Sequence, residues 1–247
     1  MTFRVATLNM EQDHKRWEQR RELIVEQLDE LRPDIFALNE VSVTRQTGRW
    51  LQQVAKERLG IEYALIQQAK PGGAPDGEGI LTTYPVIETA NLDYRARGAV
   101  AQVARLDVDG RLVDFYVTHL YMSRGEDSLR LFEVQQLLDW VGTRDDVDAR
   151  IVCGDFNAAL DQPSASLMAE SFRPTQTEPT AFSPLADADG TVSHPYWERI
   201  DRCIDYIWIA GPLDVKESAP CFNKPAPNDP TLWPSDHLGV WADLEFV

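Results

Sequence analysis

Cysteine is scarce in this chain of 247 residues: Cys153, Cys203 and Cys221 are odd in number and far apart. That excludes a disulfide framework and leaves too few ligands for a cysteine-rich zinc site. Cations are scarce as well. Lys and Arg total 24 against 40 Asp and Glu, a net charge of −16, which argues against a protein held to its partners by a cationic face on a phosphate backbone. The same excess of carboxylate suits a hard divalent cation, and a bound cation can present an acidic protein to a phosphate. There is no uninterrupted apolar run of membrane-spanning length. The start, Met1-Thr2-Phe3-Arg4, enters an alternating stretch directly, without a basic and apolar leader. These absences point to a reduced, cytoplasmic protein without stable membrane association and with no obligate protein partner evident. No internal repeat, low-complexity tract or long Pro/Gly linker divides the chain, so residues 1–247 read as one domain.

What is present is an alternation of strand-like and helix-like segments. Phe3 to Asn9 reads as a strand. Trp17, Ile24, Leu28 and Leu31 recur at helical spacing until Arg32-Pro33, and Ile35 to Leu38 is a short buried strand. Trp50, Leu51, Val54 and Leu59 predict a second helix closed by Gly60. Ile61 to Ile66 and Gly79 to Thr83 read as strands separated by a mobile loop, Lys70 to Gly77. A hairpin turns at Asp109-Gly110 between Val100–Val108 and Leu112–Val117. Leu129 to Val141 predicts an amphipathic helix, and Ile151–Cys153, Ile204–Ala210 and Val240–Phe246 supply later strands. No Gly-rich turn follows the first strand, so the doubly wound nucleotide-binding fold fits poorly. Hairpins mixed with strand–helix crossovers fit an α/β chain of two packed mixed sheets with helices on their outer faces.

The informative feature is where polar residues fall. Asn9 ends the first strand and Asn39-Glu40 the second; Glu78 starts the strand after the loop. His119 ends the hairpin, Asp155 and Asn157 follow Cys153, Asp205 opens a strand, and Ser235-Asp236-His237 precedes the last one. Taken singly, each has an ordinary reading, as turn former or structural histidine. Glu40 is harder to dismiss, because a carboxylate directly behind an apolar run is costly unless paired or bound to metal. Strand-end residues from several strands converge on one rim of a sheet, which is how active sites are assembled.

The ordered motifs Thr7-Leu8-Asn9, Leu38-Asn39-Glu40, Thr118-His119-Leu120, Gly154-Asp155-Phe156-Asn157, Ile204-Asp205-Tyr206 and Ser235-Asp236-His237 span the chain. Together they resemble the endonuclease/exonuclease/phosphatase superfamily, which includes DNase I, AP endonucleases, neutral sphingomyelinases, inositol polyphosphate 5-phosphatases and tyrosyl-DNA phosphodiesterases. Thr118-His119-Leu120 is similar to the DNase I, sphingomyelinase and phosphatase branch rather than to the AP endonucleases.

The resemblance implies a four-layered α/β sandwich and a phosphoric-ester hydrolase that uses Mg²⁺, with Mn²⁺ as a substitute. It implies Glu40 as principal metal ligand, with Asn9 and Asp236 near the metal or the phosphate. His237 would be the general base, oriented by Asp205. Asp155 would hold the nucleophilic water or deprotonate it, and Asn157 and His119 would contact the scissile phosphate. Glu78 would pair with His119. The family commonly has Gln-Glu where this chain has Asn39-Glu40, which leaves the role of that amide open. Arg95 and Arg97 are candidates to meet a substrate phosphate, Arg97 being the substrate-binding choice, although surface arginines are usually just solvated.

Asp187-Ala188-Asp189-Gly190 lacks the remaining ligands of a calcium loop and reads as a polar turn. Asn223 to Pro234 is placed to choose substrates, or simply to connect. The expected substrate is a phosphodiester or phosphomonoester, with nucleic acid possible. A nuclease or phosphodiesterase is the first reading, a small-molecule or lipid phosphodiesterase or phosphatase the second, and an inactive binding module on the same scaffold the different-class alternative.

Overall fold

The computed structural model describes residues 2–11, 15–122, 127–193 and 202–247. One sheet runs β11-β12-β1-β2-β4-β3. Its strands are β1 (Thr2–Asn9), β2 (Ile35–Ser42), β3 (Ala64–Ala69), β4 (Asp76–Thr82), β11 (Leu213–Cys221) and β12 (Gly239–Phe246). The other runs β5-β6-β7-β8-β10-β9, with β5 (Val86–Asp93), β6 (Val100–Val108), β7 (Arg111–His119), β8 (Ala149–Asp155), β9 (Arg173–Pro174) and β10 (Asp205–Ala210). Helices α1 (Trp17–Leu31) and α2 (Thr47–Val54) accompany the first sheet, and α3 (Ser128–Gly142) and α4 (Pro163–Met168) the second.

Residue alternation builds four layers from this list. In β1, Phe3 and Val5 enter the core between the sheets, where Phe115, Ile151, Ile207 and Val240 meet them. Ala6 and Leu8 face the other way and pack with Ile24, Leu28 and Leu51 of α1 and α2. On the second sheet Tyr116, Val152 and Trp208 face Val134 and Leu137 of α3. Central strands covered on both faces read as near-continuous apolar runs. The expected architecture of two packed mixed sheets flanked by helices is the one observed.

Each sheet has one parallel pair at its heart, β1 with β2 and β7 with β8. Their neighbours β12, β4 and β10 run antiparallel to them. Parallel strands therefore bring their C-terminal residues to one end, Asn9, Asn39-Glu40, His119 and Asp155. The antiparallel strands bring their N-terminal ends to the same place: Asp76 to Glu78, Asp205, and the residues just before Gly239.

Local expectations held best where periodicity was strong. The hairpin turns at Asp109-Gly110, both residues having φ > 0 (53° and 84°), as a tight two-residue turn requires. The second helix is α2 continued by one π-helical stretch, Ala55–Leu59, and closed by Gly60 at φ 69°. Two expectations need correction. The strand placed at Ile61 to Ile66 is Ala64–Ala69, and β4 begins at Asp76 rather than Gly79, so Asp76 and Gly77 belong to the strand and the connection is Lys70 to Pro75. Lys70 is largely buried and bonds Asp76 at 2.5 Å. Edge strands β5 and β11 had no clear alternation, because most of their side chains are exposed or half-buried. Among the described residues no helix is long and apolar enough to cross a membrane. The three cysteines are buried free thiols.

Helix α3 carries a testable burial. Glu133 is fully buried and accepts from the Tyr121 N–H at 2.9 Å. Burial pushes its carboxyl from 4.5 up to about 7, despite that bond and the nearby Arg130. A folded-state value above the unfolded one means that this group's stabilisation is complete below about pH 4.5 and is lost as pH rises through about 7. Glu133→Gln retains an oxygen for Tyr121 and is expected to raise the urea midpoint near pH 8 but not near pH 5. An equal difference at both pH values contradicts this.

Candidate active site

A β-bulge creates the first half of the site. Leu38 pairs with Gly79 and Val41 with Gly77, so β2 holds one residue more than β4 across that interval. Leu38 and Val41 both pack toward the helices. Asn39 enters the space between the sheets, and Glu40 occupies the extra position at φ 57°. Two adjacent residues thereby serve one centre, which a regular strand would forbid.

Asn39 is fully buried. Its Nδ2 donates to the Thr118 carbonyl (2.9 Å) and to Glu78 Oε2 (2.5 Å), and its Oδ1 accepts from the Asp155 N–H (2.8 Å). One side chain of the first sheet is thus bonded to two strands of the second. The approach is close enough to demand glycine at 154. At φ 131° a Cβ there would lie 2.0 Å from the Thr118 oxygen and 2.9 Å from Asn39 Oδ1.

Around this bridge the acids converge. Asn9 Nδ2 donates to Glu40 Oε1 (3.1 Å) and Asp155 Oδ2 (3.2 Å), while its Oδ1 accepts from the Glu11 N–H (3.0 Å). Asp205 Oδ2 lies 3.0 Å from His237 Nδ1, and His237 Nε2 lies 3.8 Å from Asp155 Oδ2. Asp155 Oδ1 accepts from the Asn157 N–H (2.8 Å). His119 Nε2 lies 3.5 Å from Asp155 Oδ2 and 3.2 Å from Asn157 Nδ2. Asp236 adjoins His237, and Ser235 Oγ ties this turn to the Asn9 carbonyl at 2.6 Å.

Electrostatics follow from burial. Burial, with the neighbouring Asp236 charge, pushes the Glu40 carboxyl up to about 7. Burial and Asp205 do the same to Asp155, also to about 7. Burial pulls the His237 imidazole down, but Asp205 and Asp155 outweigh it and hold it well above its ordinary value. His119 is held well below its ordinary value by burial, the Lys70 ammonium and His237, so its ring is neutral.

A cluster of buried carboxylates that repel one another fits a divalent cation. Among the described residues, Asp155, Asp205 and His237 could each offer one ligand atom, all within 4.8 Å of one another. In that trio the His237 Nδ1 and Asp205 oxygen already bond each other. The Glu40 and Asp236 carboxylates suit a hard cation without breaking that pair, whereas Asn9 turns its Nδ2 toward Glu40 and its Oδ1 to the Glu11 N–H.

The expected pair of Glu78 with His119 is not formed. Glu78 bonds Asn39, and Lys70 lies 3.7 Å from Glu78 Oε1 and 3.4 Å from His119 Nδ1. A lysine therefore takes the place between them that a direct contact would need. Burial pushes the Glu78 carboxyl up to about 7 despite Lys70 and Asn39. Lys70 itself is pushed down by burial but held above its usual value by Glu78 and Asp76.

Arg97 is exposed at φ 51°, its guanidinium 5.5 Å from the centre of the Tyr121 ring, two residues beyond His119. Asp187 to Gly190 forms the expected polar turn, closed by Gly190 N–H on the Asp187 carbonyl.

Several residues carried no local signal in the sequence. Thr180 Oγ1 accepts from the N–H groups of Ile204 and Asp205. Phe182 sets its ring edge-to-face with His237 at 4.9 Å. Lys70 stood in a Pro/Gly stretch with nothing nearby to mark it.

A model of the Endonuclease/Exonuclease/phosphatase family matches residues 6–237. The chain belongs to that family. Its members hydrolyse phosphoester bonds. Nocturnin from Xenopus laevis is 28% identical over 94% of this chain, and human Nocturnin 27% over the same share. The chain spans 65% and 59% of those two proteins' lengths. Among solved structures, the human Nocturnin catalytic domain with bound sulfate anion superposes with a TM-score of 0.72 at 26% identity, covering 100% of this chain and 95% of that one. D. rerio TDP2 complexed with single strand DNA product reaches 0.77 at 15% identity, covering 99% of each chain. At that identity, TDP2 is evidence for the family fold alone.

Because the Asn39 amide is bonded at three buried points, its removal strands a carbonyl, an N–H and a carboxylate oxygen. Asn39→Ala is expected to cost about 2–4 kcal/mol in urea denaturation. Wild-type stability in this variant contradicts the bridge.

Proposed function

We propose that the protein is an Mg²⁺-dependent phosphodiesterase. The observation that carries this reading is the chain of contacts from Asp205 through His237 to Asp155, opening beside Glu40, Asn9 and Asp236. Asp205 accepts from the His237 Nδ1–H, which leaves Nε2 directed to the centre as the site of proton transfer. His237 then withdraws a proton from a water held by Asp155, and Phe182 backs the imidazole ring. The phosphate meets two neutral donors on the other flank, the Asn157 amide and the His119 ring. Lys70, fixed by Asp76, faces His119 Nδ1, and the Asn157 amide nitrogen faces its Nε2. Glu40 and Asp236, with Asn9 beside them, would hold a divalent cation, which would supply positive charge against the phosphate oxygens and the buried carboxylates.

Arg97 on Tyr121 is the proposed contact for a flanking part of the substrate. The net charge of −16 favours a compact phosphoester or a short single strand over a long duplex, whose affinity depends on many cationic contacts. A relative supports a phosphate-directed site: a sulfate anion is bound in the human Nocturnin catalytic domain.

Purified protein with Mg²⁺ is expected to hydrolyse bis(p-nitrophenyl) phosphate, and chelation with EDTA to abolish the rate. His237→Ala is expected to lower kcat/KM by roughly 10²–10⁴-fold. Full activity in that variant contradicts the mechanism. Rates measured in parallel on single-stranded DNA, duplex DNA, RNA and phosphomonoesters order the substrates.

A further inference from the structure

Arg20, on the first turn of α1, is fully buried although it touches no group of the reacting centre. Its Nε donates to the Lys15 carbonyl. Nη1 donates to the carbonyls of Met10 (3.2 Å) and Pro234 (2.8 Å), and Nη2 to Glu11 Oε2 (2.8 Å). The acceptors come from two chain segments, one near Arg20 in sequence and one, at Pro234, 214 residues away from it, and each segment ends at the site. Met10 and Glu11 directly follow Asn9; Pro234 directly precedes Ser235-Asp236-His237. The Glu11 N–H fixes the Asn9 amide, and Ser235 Oγ bonds the Asn9 carbonyl.

Arg20 is the inner tooth of a longer clasp. Arg16, just before α1, and Arg20, Gln27 and Glu30 on it fall along one stripe at helical spacing. Arg16 holds Asp229 (2.5 Å) and Thr231 (3.3 Å). Gln27 exchanges two hydrogen bonds with the backbone of Lys224, and Glu30 pairs with the Lys224 ammonium. Phe222, at the start of the same segment, stacks on Phe36 at 5.3 Å. The stretch from Asn223 to Pro234 is thus laid along α1, which accounts for it as a connection of fixed course. The Lys224 pair lies toward solvent and Arg16 is half-buried, whereas Arg20 is sealed in.

A buried cation beside a cation site is electrostatically unfavourable for the metal. Its presence there calls for a geometric return. Four acceptors spread around one side chain suit a guanidinium, whose donors fan out in a plane; an ammonium offers three donors from a single point.

We propose that Arg20 is the positioning residue of the metal centre: by joining the Met10 and Pro234 carbonyls, it holds Asn9 and Asp236 at the spacing that a divalent cation needs. This rests on the reading of Asn9, Glu40 and Asp236 as ligands.

Titration calorimetry of Mn²⁺ into the whole protein, with thermal denaturation run alongside, tests it. Arg20→Lys is expected to bind Mn²⁺ about 10–100-fold more weakly, as loss of an outer-shell partner does. Arg20→Gln is expected to bind more weakly too, although removing a positive charge would by itself tighten binding. Arg16→Ala, which cuts only the outer clasp, is expected to lower Tm while leaving Mn²⁺ affinity within about twofold of wild type.

Equal or tighter binding by a folded Arg20 variant overturns the proposal, as does an equal loss in Arg16→Ala. If Arg20→Lys does not fold, Arg20→Gln decides the matter alone. Failure of the wild-type protein to bind Mn²⁺ overturns the metal reading itself, a result distinct from wild-type binding that Arg20 does not influence.

Discussion

The Asn39 amide is the point at which two sheets become one site. Its bonds to Thr118, Asp155 and Glu78 are made where no water competes, so their loss leaves buried polar groups unsatisfied rather than rehydrated. Two further features depend on that bridge. The bulge in β2 frees Asn39 and Glu40 to serve the same centre, and Gly154 lets β8 approach closely enough to be reached. A side chain at 154 would push the sheets apart and carry Asp155 away from Asn9 and His237. The position that the wider family commonly fills with glutamine therefore works here as the shorter amide, across a gap that glycine keeps narrow.

The electrostatic economy of the site follows from the same closeness. Burial and mutual repulsion push Glu40 and Asp155 toward neutral pH, while Asp205 and Asp155 together raise His237. Two histidines in one pocket are thereby driven in opposite directions. His237 lies among carboxylates, and His119 lies buried between the Lys70 ammonium and the Asn157 amide, with Asp155 at 3.5 Å. In the proposed mechanism that division would separate a proton acceptor from a group that holds the phosphate oxygens. The net charge of −16 is largely a property of the surface. At the centre, the acids are few, buried and individually placed.

Much of this was legible beforehand, for identifiable reasons. Asn9, Glu40, His119, Asp155, Asp205 and His237 terminate or open strands with strong apolar patterns, and parallel central pairs with antiparallel neighbours deliver such residues to one rim. The hairpin at Asp109-Gly110 and the helices over Trp17–Leu31 and Ser128–Gly142 follow from local chemistry. What stayed hidden was non-local. Lys70 reaches His119 only because β3 and β4 pair across a Pro/Gly turn, and no spacing in the sequence encodes that contact. Thr180 and Phe182 act on Asp205 and His237 from a segment without periodicity. Strands β5 and β11 lie at sheet edges, where few side chains are buried and alternation has nothing to enforce it.

The central claim is that carboxylates from β2 and the turn before β12, beside Asn9 of β1, take the metal while the His237–Asp205 pair stays intact for proton transfer. The most direct measurement is a crystal structure with Mn²⁺, its position read from anomalous scattering. The account predicts a peak within roughly 2.5 Å of the Glu40 carboxylate, with His237 Nδ1 still bonded to Asp205. A peak on the His237 imidazole, with the bond to Asp205 broken, would contradict it.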